Sequence, residues 1–276
     1  MSTSVTYTAT LSFTRETVQF VSGLLAAQRR RRRTRRGTRL LTPFREAVLV
    51  LRWFVDGTRI SQLALDNGLS GRTAYRYLHE GIDVLKVRAP SLKDALDAAK
   101  AAGHGHLLLD GTLIETDACH APGPTTGVDL WWSGKHKRHG GNIQVLSTPD
   151  GFPLWTSPVR PGREHDMSCA RTHNLLDTLD TNTQASGPIT ITDTGYEGAP
   201  DSFRMPYKKP VGGELTLDQK QYNKVVGALR ALAEKANADL KMRFKALRHV
   251  SLDPWRIGGI IAAALTLFHF EQGRTA

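Results

Sequence analysis

Three acidic residues have surroundings that could support chemistry. Asp110 follows His106-Leu107-Leu108-Leu109 and precedes Gly111-Thr112. Asp193 follows Ile189-Thr190-Ile191-Thr192 and precedes Thr194-Gly195. Both patterns read as a short buried strand ending in a carboxylate. A carboxylate in that setting is costly unless a cation meets it. Glu234 sits within a long helix-forming segment, among Arg230, Asn237 and Lys241. Two aspartates on rigid strands and a glutamate on a helix suit divalent ions with a preference for oxygen, Mg²⁺ or Mn²⁺. Two such ions, about 3.5–4 Å apart, would activate a nucleophile and steady the leaving oxygen of a phosphoryl displacement. Each acid also has an ordinary reading: Asp110 as the cap of an Asp-Gly turn, Glu234 as a surface glutamate paired with Arg230 and Lys241. Glu197 and Glu214 are the fallbacks for the third carboxylate.

The elements that must position these acids follow from periodicity. Strands are expected at 106–110, continuing toward Thr116, at 143–147, at 153–156 and at 189–192. Pro149-Asp150-Gly151 makes the second and third a hairpin. Helices are expected from Asp166 to Leu179, from about Leu217 to about Leu247, and from Ile257 to Phe270, the last packing on the sheet. In the long helix Val225, Leu229, Leu232, Ala233, Ala236, Leu240, Phe244 and Leu247 recur as a buried stripe. Arg230, Glu234, Asn237 and Lys241 recur beside it as a polar one.

Charge divides the chain. The net charge is +11, and residues 1–103 carry 18 Lys and Arg against 8 Asp and Glu. A basic module ahead of a near-neutral one points to polyanion binding by the first. Phe13 to Gln28 can be a helix capped by Thr14, and the block 29–39 holds eight arginines, of which Arg31, Arg33, Arg35 and Arg36 are candidates for DNA phosphates. Thr42-Pro43 opens a second helix that Gly57 ends. Ile60 to Leu78 reads as helix, tight turn at Asn67-Gly68, then a helix capped by Ser70, running to about Arg88, where Pro90 stops it. This resembles a helix-turn-helix unit, with Arg72, Thr73 and Arg76 at the start of the recognition helix. Ser91 to Ala102 reads as a spacer helix. A plain helical hairpin and a solvated charged segment are the ordinary alternatives.

Taken together, Leu108-Leu109-Asp110-Gly111-Thr112, Ser133-Gly134-Lys135-His136-Lys137-Arg138-His139-Gly140, Gly162-Arg163-Glu164-His165-Asp166, Thr192-Asp193-Thr194-Gly195-Tyr196 and Arg230 through Glu234 to Lys241 resemble the DDE superfamily transposases of bacterial insertion sequences, in the group related to Harbinger elements. The resemblance covers roughly residues 40–270. It implies an α/β fold, an RNase H-like mixed sheet flanked by helices, preceded by an all-α helix-turn-helix domain. The corresponding domains are 1–41 (basic helix and arginine segment), 42–103 (helix-turn-helix with spacer helix) and 104–276 (catalytic). It implies metal ligands Asp110, Asp193 and Glu234 for two Mg²⁺ or Mn²⁺ ions, double-stranded DNA as partner (element ends and target), and a homodimer to hold two ends. Lys135, His136, Lys137, Arg138, His139 and Lys241 are expected at DNA phosphates, and His165 and Asp166 to position DNA or support the metal site. Asp166 as the N-cap of the following helix is the competing assignment. Trp131 and Trp132 could stack on bases, with core packing preferred.

Other classes fit less well. No apolar run reaches the roughly 18 residues of a membrane span, and Met1 to Thr10 lacks a signal-peptide pattern. The cytoplasm is therefore the expected compartment. Cys119 and Cys169 make no disulfide framework. With His120, His136, His139 and His173 they match no zinc spacing. A non-catalytic DNA-binding regulator and a nuclease without strand transfer share the same residues and stay open.

Overall fold

The structure is a computed structural model and describes residues 10–274. It divides into two compact units, one running to Val84 and the other starting at Leu85.

The first unit is helical. α1 (Arg15–Arg31) starts where the Thr14 hydroxyl accepts from Thr17 N at 3.2 Å, and it buries Val18, Val21 and Leu25. α2 (Pro43–Leu51) is capped the same way by Thr42. Its continuation, Arg52–Asp56, widens to i→i+5 bonding and stops at Gly57, whose φ of 67° favours glycine. α3 (Ile60–Asp66) and α4 (Gly71–Lys86) are joined through Gly68, with φ of 62°, and Ser70 Oγ accepts from Thr73 N at 3.2 Å. Leu63, Ala64, Leu69, Ala74 and Leu78 are buried between them, while Arg72, Tyr75 and Arg76 stay exposed.

The arginine block is not uniform. Arg29 pairs with the buried Glu46, and Arg39 pairs with the buried Glu80 while lying over the Tyr77 ring. Burial, then the charge of Glu80, pushes the Glu46 pKa up to about 7 against the pull of Arg29. Two of the eight arginines are therefore part of the helical core; Arg30, Arg31, Arg32, Arg33, Arg35 and Arg36 are exposed.

The second unit is built on a mixed sheet. Its elements in chain order are α5 (Leu92–Ala101), β1 (His106–Glu115), β2 (Trp132–Ser133), β3 (Arg138–Ser147), β4 (Pro153–Thr156), β5 (Arg160–Pro161), α6 (Asp166–Thr172), α7 (Leu175–Gln184), β6 (Ile189–Ile191), β7 (Phe203–Arg204), α8 (Leu217–Arg243) and α9 (Ile257–Glu271). The main path is β2-β3-β1-β6-β7, with β4 and β5 also on β3. β1 runs antiparallel to β3 and parallel to β6, and β6 is parallel to β7. Helices pack on both faces. Leu107 and Leu109 join α5, α6 and α7 through Leu96, Ala99, Met167, Ala170, Leu175 and Leu179. Leu108 and Ile191 join α8 through Val226 and Ala233. α9 packs by β4, where His269 Nε2 meets Pro153 O at 2.7 Å.

Several expected boundaries shift, each for a local reason. β1 is the exception and runs on past Asp110 toward Thr116 as expected, because β3 supplies partners as far as Glu115. The helix expected from Asp166 breaks at Asn174, which adopts φ of 50°. α5 is not a spacer: Ala95, Leu96 and Ala99 face the sheet as part of its core. In α8 Val226, not Val225, is buried, and Val225 is exposed. Among the described residues no helix is long and apolar enough to cross a membrane.

The two kinds of arginine should separate in urea unfolding. Arg29→Ala strands a buried carboxylate and should cost about 3–5 kcal/mol, whereas Arg30→Ala, on the exposed side, should stay within about 0.5 kcal/mol. Glu46 adds a pH signature. Its folded pKa of about 7 lies above the ordinary 4.5, so its burial penalty is absent below pH 4.5 and complete above pH 7. Stability should fall as pH rises through that window, and Glu46→Gln should flatten the fall in thermal melts taken from pH 5 to 8.

Candidate active site

Asp110 is the fifth residue of β1 and lies opposite Val145 of β3. Asp193 follows β6 by two residues, and Leu108 and Ile191 are register partners on these adjacent parallel strands. Side chains alternate along a strand, so Asp110 shares a face with Leu108 and Asp193 with Ile191. That is the face covered by α8. Asp193 is further fixed by accepting from Gly195 N at 2.8 Å, which caps the short turn Thr194–Tyr196.

The polar stripe of α8 meets both aspartates. Arg230 Nη2 stands 3.6 Å from Asp193 Oδ2 and 3.8 Å from Glu234 Oε1. Asn237 Nδ2 donates to Asp110 Oδ2 at 2.8 Å, and its buried Oδ1 has no hydrogen-bond partner. Glu234 lies between them on the helix with its side chain 67% exposed. Lys241, expected at a DNA phosphate, is instead taken up inside the fold. Its Nζ donates to Thr112 Oγ1 at 2.8 Å and Leu113 O at 2.9 Å, and burial lowers its pKa.

Asp110 carries the electrostatic strain. Burial first, then the charges of Asp193 and Asp166, push its pKa up to about 6, with Arg230 opposing and Glu234 adding to the rise. A cation among these acids would relieve that repulsion, and carboxylates with an amide oxygen are the donors Mg²⁺ and Mn²⁺ prefer. The donor chemistry thus fits a divalent ion. The arrangement is not a finished cage: among the described residues no three His, Cys, Asp or Glu side chains meet closely enough to hold a metal.

The other face of β1 carries a second polar network. Asp166 is the first residue of α6 and not its cap; His165 occupies the cap position and is exposed. Asp166 accepts from Asn142 Nδ2 at 2.7 Å and meets Lys135 Nζ at 3.3 Å. Gln144 Nε2 donates to Asn142 Oδ1 at 2.9 Å, and the buried Tyr196 hydroxyl donates to Gln144 Oε1. Gly111 is where this network presses on the strand, because a Cβ there would lie 2.0 Å from Asp166 Oδ1. A cleft of about 670 Å³ runs past Gly111, Lys135, Asn142, His165, Asp166 and Asp193. Asn142 and Gln144 have no role in the sequence patterns above, and Tyr196 enters there only as the end of a motif. The available signal was two amides at i and i+2 within an apolar strand, since buried amides demand partners.

The remaining expected residues are spread more widely. Lys135, His136 and Lys137 form the tight turn between β2 and β3, with Lys137 at φ of 56°. Arg138 pairs with Glu115 at 2.6 Å. Burial and the Lys135 charge lower the His136 pKa. Thr73 is half-buried beside the exposed Arg72 and Arg76. Trp131 is core, edge-on to Trp255 at 4.8 Å between centroids. Glu197 pairs with Lys208, and Glu214 with Lys209. His120 and His139 both turn to Asp129, and burial pushes the Cys169 thiol up to about 12.

The sequence model of a family described as DDE superfamily endonuclease matches residues 109–269. A probable transposase for insertion sequence element IS702, from Microchaete diplosiphon, is 24% identical over 207 residues, spanning 71% of this chain and 69% of the relative. Among solved structures, a pre-cleavage Mos1 transpososome is 12% identical, with a TM-score of 0.23 over 96% of this chain and 99% of that one. A Mos1 transposase paired-end complex is also 12% identical, with a TM-score of 0.22 over 83% and 78%.

The Gly111–Asp166 contact can be tested by coupling. Gly111→Ala should cost about 1–3 kcal/mol through overpacking. The double variant Gly111→Ala/Asp166→Ala should cost less than the sum of its singles in chemical denaturation, because Asp166→Ala removes the colliding carboxylate.

Proposed function

This chain belongs to the DDE superfamily endonuclease family, and we propose that it is an insertion-sequence transposase that binds element-end DNA, cuts it and joins it to a target. One observation carries the reading. Asp110 on β1 and Asp193 just past the adjacent β6 lie under the helix that brings Asn237 to the first and Arg230 to the second, with Glu234 one turn from each on the same stripe. The mixed sheet with its long first strand is assigned to the RNase H-like class, and residues 104–276, together with α5 that packs into their core, to the catalytic domain.

In this reading Asp110, Asp193 and Glu234 would hold two divalent ions, Mg²⁺ or Mn²⁺, with Asn237 Oδ1 as a further oxygen donor. The bound ions supply activation of the attacking oxygen and stabilisation of the leaving one. The chain's own residues provide the rest. Asn237 fixes Asp110 from the helix, and Gly195 N fixes Asp193. Arg230 balances Asp193 and Glu234. Asp166 holds Lys135 at the cleft, where its ammonium can meet a phosphate, and His165 stands beside it. His136, Lys137 and Arg138 extend that cationic turn.

Recognition belongs to the first part of the chain. α3 and α4 act as the helix-turn-helix within residues 42–103, with Arg72, Thr73 and Arg76 reaching base edges in the major groove. Arg31, Arg33, Arg35 and Arg36, within 1–41, neutralise phosphates of the same duplex. Two element ends call for a homodimer, and cytoplasmic DNA is the substrate.

Purified protein with Mg²⁺ or Mn²⁺ and DNA bearing the element's terminal repeats should cut at the ends and join them to target. Asp110→Asn and Asp193→Asn should each lose about 10²–10³-fold or more in cutting rate, the scale for removing a charged group that acts on the transition state. DNA affinity should change little. Equal inactivity of wild type and variants with binding intact would instead identify a regulator, and cutting without joining a plain nuclease. Arg72→Ala should weaken specific binding by about 1–3 kcal/mol in salt-matched titrations.

A further inference from the structure

The turn between β2 and β3 carries Lys135, His136, Lys137 and Arg138, and these four are not equivalent. Arg138 is drawn to Glu115, and Lys137 is exposed without lining the main cleft. His136 lines the cleft, but burial and the Lys135 charge favour its neutral form. Lys135 lines it as well, with Nζ 3.3 Å from Asp166 Oδ2. Burial alone would lower the Lys135 pKa, yet the charges of Asp166, Asp193 and Asp110 raise it overall. Lys135 is thus the member of the turn that is both charged and fixed beside the acids.

What fixes it lies beneath the cleft. Tyr196, Gln144, Asn142 and Asp166 are all buried and linked end to end. The direction of each link is dictated from the Asp166 end. As a carboxylate, Asp166 only accepts, so Asn142 must turn its amide nitrogen to Oδ1, at 2.7 Å. The Asn142 oxygen then accepts from Gln144 Nε2 at 2.9 Å. Gln144 Oε1 in turn accepts from the Tyr196 hydroxyl, whose single proton closes the chain. Reversing the Asn142 amide would set its carbonyl against a carboxylate and two amide nitrogens against each other. Strand pairing does not require these side chains, because β3 bonds to β1, β4 and β5 through its backbone. Each buried polar group in the chain costs desolvation. What the chain delivers is a carboxylate that cannot turn: Oδ1 is committed to Asn142 and Oδ2 faces Lys135.

We propose that Lys135 contacts the phosphate under attack, and that Tyr196, Gln144 and Asn142 are positioning residues that act on it through Asp166. The inference rests on the transposase reading above and assigns one cation of the turn to the reacting phosphate. An ammonium has three donors and Asp166 takes one, which leaves donors for the nonbridging phosphate oxygens. Asp193 lines the same cleft, so a phosphate reaching that acid also reaches Lys135. A cation oriented in advance needs no reorganisation as charge develops on the phosphate.

The test measures single-turnover cutting of a terminal-repeat duplex by saturating protein with Mg²⁺, and affinity for the same duplex without divalent ions. Lys135→Ala should slow cutting about 10²-fold while weakening affinity less than about threefold, being one phosphate contact among many. Lys135→Arg, which keeps the charge, should recover part of the rate. Gln144→Met, similar in volume but unable to continue the chain, should slow cutting about tenfold and cause no further loss in a Lys135→Ala background. Tyr196→Phe breaks the same chain with a smaller disturbance and should show the same dependence on Lys135, even where thermal melts show that Gln144→Met does not fold. Equal losses with and without Lys135 would mean that the chain is only structural and would overturn the inference. Wild-type cutting by Lys135→Ala would overturn it too, as would an affinity loss as large as the rate loss. Wild type that cuts nothing would remove the transposase reading and this inference with it.

Discussion

The second unit depends on keeping a half-buried carboxylate in the middle of its central strand. Asp110 cannot retreat to solvent, because β1 pairs on both sides of it and α8 covers its face. Burial and neighbouring acids already push its pKa up to about 6, so ionising it at neutral pH works against the fold. α8 answers with an amide at Asp110 and a guanidinium at Asp193. Close approach is needed for that, and the helix achieves it with Ala233 and Ala236, both buried where it meets the sheet.

The same strand is constrained on its opposite face. Gly111 points to Asp166, whose carboxylate fills the space a side chain would need. Asp166 is in turn held by Asn142 and Lys135, Asn142 by Gln144, and Gln144 by Tyr196. Tyr196 closes the turn that Asp193 caps. Two consecutive residues of β1 therefore hold opposite faces of the sheet in register with the Asp193 turn.

Sequence patterning exposed what is periodic. The strands through 106–110, 143–147, 153–156 and 189–191, the caps at Thr14, Thr42 and Ser70, and the stripe Arg230-Glu234-Asn237-Lys241 all appear in the structure. What patterning missed depends on long-range partners. Nothing local distinguishes Arg29 and Arg39 from their neighbours; only Glu46 and Glu80, distant in sequence, make them structural. Lys241 looked like one more cation until the Thr112 and Leu113 oxygens were found beneath it. Asp110 looked like a strand end because Gly-Thr follows, yet β3 carries the pairing past both residues.

The three acids proposed to act together differ in freedom. Asp110 is fixed by its strand and Asn237, and Asp193 by its own turn. Glu234 stands largely in solvent, its carboxylate drawn toward Arg230. Arg230 faces Asp193 as well, so one guanidinium lies between the fixed acid and the free one. A helix glutamate has three rotatable side-chain bonds, and ordering them costs up to roughly 1.5–2 kcal/mol. A doubly charged ion among the acids can offset that cost, because it also relieves the repulsion that raises the Asp110 pKa. The protein's contribution is then to hold two carboxylates in place and keep the third within reach. Arg230 opposes the rise in the Asp110 pKa that Asp193 and Glu234 add to, so its charge offsets part of the repulsion among the three acids.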